Sequence, residues 1–259
     1  MKRFLVLTLC FTLPLLAQVP GWSPTEMSVT KRAAVASYYF PTNLPAQPAY
    51  VWYVWQDYTT NSGMGTLPER LLALNATNTA GTLTPNEGPV LNGKRTGYFD
   101  GSTEFLLCQP FDTGGQPYSF HFVCALTNTA ASVAGMASST NSSGNNYVGY
   151  VGASARAQIR SGGSAVNPGY FETNKWMSIA VVFTGTSSQV WTNGVQLGAN
   201  VNPGTGQWIG LEIGRLSGSS SFDAHWALAE MTCYTNQALT QNNISNLFTY
   251  ATNVYAFGY

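Results

Sequence analysis

Breaking a glycosidic bond takes two carboxyl groups about 5 to 9.5 Å apart, one to protonate the leaving oxygen and one to attack or to activate water. On a strand, acids at even spacing supply that pair, because alternate side chains share a face. The chain has eleven acidic residues, and none form such a run. Glu212 is followed by Ile213, Gly214 and Arg215, and Glu230 stands alone. The two histidines, His121 and His225, fall in no metal-ligand spacing and beside no G-x-S-x-G serine. The aspartates Asp57, Asp100, Asp112 and Asp223 form no dense cluster. The residues therefore predict no catalysis, no metal and no cofactor.

Aromatic residues near polar loops are the better lead, since sugar rings stack on aromatic faces and amide side chains bond hydroxyls. Tyr147, Tyr150 and Tyr170 flank loops rich in glycine and asparagine, Asn141 to Asn146 and Ser161 to Gly169. Trp208 follows the turn from Asn202 to Gln207, and His225 stands beside Trp226. These six residues are the expected ligand contacts at a loop-built rim. Against this, most aromatics of a β-sandwich fill its core.

Other chemical groups have structural explanations. His121, inside an apolar run, reads as a hydrogen-bonded core histidine. Asp100 suits an Asx bond within Phe-Asp-Gly-Ser. Glu230, costly to bury alone, is expected to pair with a base such as Arg215 or to bond a backbone amide. Asn75, Asn141 and Asn243 each begin an N-x-Ser/Thr acceptor, which matters only where the host glycosylates.

These residues must be held by strands. Tyr118 to Leu126, Ser132 to Ala137, Tyr147 to Val151, Ala155 to Ser161 and Trp176 to Phe183 are apolar runs parted by turn residues, the rhythm of an all-β sandwich or barrel. Gly97 to Leu107, Trp208 to Arg215 and Trp226 to Tyr234 read as further strands, as does the aromatic run Ala49 to Tyr58. Asn193-Gly194 between Gln189–Thr192 and Val195–Leu197 predicts a type I′ hairpin. Residues 59–94 read as long loops with one helical turn at Leu67 to Leu74. One helix is expected at the C-terminus, where Thr240 caps Ile244, Leu247, Phe248, Ala251, Val254 and Tyr255 at helical spacing.

Lys2 and Arg3 before the apolar run Phe4 to Leu16 predict a secretory signal over residues 1–17. An irregular leader over 18–45 and one domain over 46–259 follow. Losing Lys2 and Arg3 leaves nine basic against eleven acidic residues, a net charge of −2, which offers nucleic acid no footprint. Only 8% of residues are charged and 13% are aromatic, so the surface is neutral and polar. No spanning segment follows the signal, and an extracellular or cell-surface location is expected. Cys108, Cys124 and Cys233 are left in the mature chain, enough for at most one bridge or for three buried thiols.

Read in order, several segments resemble the laminin G-like domains of the concanavalin A-like superfamily. They are Tyr98-Phe99-Asp100-Gly101-Ser102-Thr103-Glu104-Phe105-Leu106, then Ser119-Phe120, then Trp176 with Ile179-Ala180-Val181-Val182. Trp191-Thr192-Asn193-Gly194-Val195, Glu212-Ile213-Gly214, and Ala229-Glu230-Met231-Thr232-Cys233-Tyr234 continue the order, and Ala238-Leu239-Thr240 closes it. The resemblance spans residues 90 to 256, and more loosely 33 to 90. It implies a jelly-roll β-sandwich of two antiparallel sheets, six or seven strands each, packed about 10 Å apart. Calcium-binding members use rim aspartates, which this chain lacks as a cluster.

Two functions follow as expectations. One is a secreted, lectin-like module that binds glycan and catalyses nothing. The other is a structural or adhesive surface protein whose sandwich mediates self-assembly or protein contact. Activity on glucans through Glu230 is the weakest alternative.

Overall fold

Continuous apolar runs such as Trp176 to Phe183 make sense only if both faces of a strand are covered. In the computed structural model they are. It describes residues 51–61, 64–67, 70, 75–77, 86–101, 104–127, 130–141, 145–217 and 224–257. The expected signal and leader lie outside these residues.

Among the described residues, sixteen strands and one α-helix follow in chain order. The first five are short: β1 (Val51–Val54), β2 (Thr59–Asn61), β3 (Met64–Leu67), β4 (Ala76–Thr77) and β5 (Asn86–Glu87). Then come β6 (Gly97–Asp100), β7 (Leu106–Asp112), β8 (Tyr118–Leu126), β9 (Ala130–Ser138), β10 (Asn146–Gly152) and β11 (Arg156–Ser161). The chain continues with β12 (Trp176–Phe183), β13 (Gln189–Thr192), β14 (Val195–Gln196), β15 (Ile209–Ile213) and β16 (His225–Thr235), and ends in α1 (Gln241–Tyr255).

They form a β-sandwich of two antiparallel sheets, neither closed into a barrel. The first runs β14-β13-β12-β8-β16-β6-β5, with β1 also paired to β16. The second runs β11-β10-β9-β15-β7-β4-β3-β2. Alternate residues fill the space between. Phe120, Phe122 and Cys124 of β8 meet Leu211 and Ile213 of β15 and Val148 and Tyr150 of β10 in one core. Rings concentrate there, with Phe120 4.6 Å from Trp208 and Phe99 5.4 Å from Trp226.

The other face of the first sheet lies under α1. Ala180, Val182 and Trp191 pack against Ile244 and Leu247, and Val123 and Ala229 against Tyr250, Ala251 and Tyr255. This second cover explains why β8 is buried at every position. The helix starts as its sequence predicts. Thr240 accepts from the Asn243 N–H, and the Asn243 side chain accepts from the Thr240 N–H, closing a capping box. The Asn193-Gly194 turn carries φ of 52° and 78°, the left-handed pair of a type I′ hairpin.

Two expectations change. Gly97 to Leu107 is not one strand: the chain turns at Gly101, where φ is 78°, so β6 joins one sheet and β7 the other. Residues 59–94 are more than loops, because β2 to β5 lie within them. Among the described residues each sheet therefore has eight strands. Of the helical turn expected at Leu67 to Leu74, Leu67 belongs to β3 and Arg70 is a bend; the rest lies outside the described residues.

Candidate functional site

A cavity of about 460 Å³ opens at one end of the helix-covered face. One wall is the approach to β12. That approach is anchored before the strand begins: Phe171 N–H donates to Ala155 O at 3.0 Å, and Asn174 N–H donates to Leu126 O at 2.7 Å. Asn174 takes a left-handed φ of 57°, which an asparagine tolerates. Trp176 then enters β12 opposite Ala125 and, like Leu91, Val254 and Phe257, packs against the cluster of Val123, Ala229, Tyr250, Ala251 and Tyr255.

The opposite wall is the β13–β14 turn and α1. Asn193 is held at both ends: its N–H donates to Ser178 O at 2.8 Å, and its Oδ1 accepts from Ser178 N–H at 2.9 Å. Phe248 sits over Gly194, where a Cβ would stand 3.3 Å from the Phe248 ring. Asn92 Nδ2 donates to Val254 O at 2.9 Å, tying the Leu91–Lys94 turn to the helix end. The cavity thus gathers three aromatic rings, from Trp176, Phe248 and Phe257, with the amides of Asn174 and Asn193.

Glu172 and Lys175 at its mouth form an ion pair of 3.1 Å, both more than half exposed. An exposed pair of this kind contributes under about 1 kcal/mol, so a ligand hydroxyl or charge can displace it cheaply.

The six expected contacts lie outside this cavity, and of them the structure bonds Tyr150 to His225. Tyr147, Tyr150, Trp208 and Trp226 are buried and present no face to solvent. Tyr150 is locked to the His225 backbone, accepting from its N–H at 2.9 Å and donating to its carbonyl at 3.0 Å. The Tyr147 hydroxyl donates to Gln158, and burial raises its pKa to about 12. Tyr170 is 59% exposed, and His225 is half-buried beside Gly101. The loops do form a rim, but it is filled by its own bonds. Gln116 donates to Ser161 Oγ and to Gly204 O, both at 2.9 Å, and Asn146 donates to Gln207 O at 2.7 Å. Residues 142–144 of that rim lie outside the described residues.

His121 and Glu230 are held by buried hydroxyls. His121 is fully buried, bonds Ser178 Oγ at 2.9 Å, and has its pKa lowered to about 3 by desolvation. Glu230 does not pair with Arg215. It accepts from the hydroxyls of Tyr250 and Tyr255 at 2.9 and 2.6 Å, while Arg215 bonds Glu212 at 2.9 Å. Helix residues supply its partners because β16 runs directly under α1. In the Asp100 turn, the Asp100 N–H donates to Glu104 Oε2 at 2.7 Å. Cys108, Cys124 and Cys233 are buried, with burial raising the Cys124 and Cys233 thiols. Among the described residues, no group of three or more His, Cys, Asp or Glu is placed to hold a metal. No helix among them is long and apolar enough to cross a membrane.

The cavity residues carry little sequence signal. Trp176 and Phe248 read as strand and helix core, and only the Asn-Gly turn marks Asn193.

No protein-family model matches the chain, and no curated protein matches its sequence. Solved structures do match its fold. Trypanosoma rangeli sialidase in complex with sialic acid aligns at a TM-score of 0.54 and 12% identity, covering 79% of this chain and 33% of that one. The binding domain of Paraclostridial mosquitocidal protein 1 aligns at 0.55 and 10%, covering 74% and 50%. The botulinum neurotoxin type G receptor-binding domain aligns at 0.54 and 9%, covering 78% and 51%. The chain thus spans a third to a half of the structures it resembles. The expectation of a chain that catalyses nothing is corrected here: sialidases stand among the matches, so this sandwich is a fold that enzymes carry.

Proposed function

We propose that the chain is an exported glycan-binding module, a jelly-roll sandwich of the concanavalin A-like kind, and that it holds its ligand in the Trp176 cavity. One observation carries this reading: the cavity pairs aromatic rings with the amides of Asn174 and Asn193. Rings bury the apolar faces of a sugar while amides bond its hydroxyls, the usual composition of a site that must orient a polar ligand. Two structural neighbours add support, one a receptor-binding domain and one a sialidase in complex with sialic acid.

A glycan array on the mature chain, run with calcium and with a chelator, tests this. A saturable hit lost in Trp176→Ala is the expected result. A blank array would overturn it.

Self-assembly is the second reading, favoured by the edge strand β14, where Val195 is 66% exposed. It predicts a defined oligomer in light scattering together with a blank array.

A further inference from the structure

A second groove, also about 460 Å³, lies between the start of α1 and the outer face of β12, β13 and β14. Val182, Leu239 and the nearly buried Trp191 form its apolar floor. Thr184, Gln189 and Gln196 stand along its sides, and none of its lining residues carries a charge.

Its amides are ordered by one another. Trp191 Nε1–H donates to Gln189 Oε1 at 3.1 Å, Gln189 Nε2 donates to Asn200 Oδ1 at 3.2 Å, and Gln196 Nε2 donates to the same oxygen at 2.9 Å. Fixing such side chains at a wet edge costs rotamer entropy and returns little, since water would bond them equally well. The Gln196 amide, which also donates to Gly198 O at 3.1 Å, and Thr184 line the groove beside its apolar floor.

We infer that this groove is a second saccharide site, taking an uncharged sugar whose hydroxyls meet Gln196 and Thr184 while one ring face covers the Trp191 edge. It differs in chemistry from the Trp176 cavity, whose mouth carries Glu172 and Lys175, and it stands independently of the reading of that cavity.

The tryptophan indole N–H resonances of the full chain test it, because Trp191 reports on this groove and Trp176 on the other. The probes are maltotriose, cellotriose and chitotriose at millimolar concentration. The Trp191 signal is expected to shift saturably with at least one of them, to respond at least tenfold more weakly in Gln196→Ala, and to respond normally in Trp176→Ala. Thr184→Val gives a second test should Gln196→Ala disturb the hairpin. A Trp191 signal unmoved by all three sugars, or a shift abolished by Trp176→Ala, overturns the inference. Movement of Trp176 alone would do the same while keeping the first cavity as a glycan site.

Discussion

The Tyr255 hydroxyl donates to Glu230 Oε2 at 2.6 Å across the contact between α1 and β16. Tyr250 donates to the same oxygen at 2.9 Å, so the last two turns of the helix close over a fully buried carboxylate. Burying so polar a group demands such partners, and the helix supplies them at the end that also lines the Trp176 cavity.

Tyr255→Phe removes one hydrogen bond to a buried carboxyl group without opening a cavity. It is expected to lower unfolding free energy by about 1–3 kcal/mol, read as an earlier urea midpoint at unchanged slope. An unchanged midpoint would remove Glu230 as an anchor of the helix.

His121 predicts a limb of acid sensitivity. Its folded pKa is lowered from 6.5 to about 3 by desolvation, so below pH 6.5 the unfolded chain binds a proton that the folded chain refuses. Its share of stability is whole above pH 6.5 and falls by about 1.4 kcal/mol per pH unit between 6.5 and 3. His121→Asn should lose less stability than the parent chain between pH 7 and pH 4.5, measured by urea titration at each pH. Parallel curves would show that His121 does not cause the limb.

Trp208 separates packing from binding. It is fully buried against Phe120 and Phe183, so Trp208→Ala should cost about 3–5 kcal/mol through the cavity left behind. Thermal unfolding checks this, and a variant as stable as the parent would return Trp208 to the list of surface contacts.

Asn243 offers a fourth test. Its side chain closes the capping box with Thr240, and the residue is nearly buried, whereas Asn75 and Asn141 are exposed. Expressed in a glycosylating secretory host, the chain should carry no glycan at Asn243 by peptide mass mapping. Occupancy there would mean that the helix forms after modification.

Much of the fold is legible wherever local chemistry decides it. β8 and β12 match their apolar runs residue for residue, because each is long and bounded by turn residues. Asn193-Gly194 and Thr240 do their work within four residues of chain. The short strands β2 to β5 escape such reading, since runs of two to four residues become strands only through their partners, as Thr77 does opposite Leu107. The candidate site escapes it for the same reason. Trp176 and Phe248 lie 72 positions apart, and nothing in either segment announces the other. Tyr147 and Trp208 misled because proximity to a polar loop says nothing about which face of a strand a ring occupies.

The most direct test of the central claim is calorimetric titration of the strongest array ligand into the parent chain and into Trp176→Ala. The account predicts saturable one-to-one or two-to-one binding to the parent and at least a tenfold loss of affinity in the variant, about 1.4 kcal/mol. Equal affinity in both, with the variant folded, would contradict it.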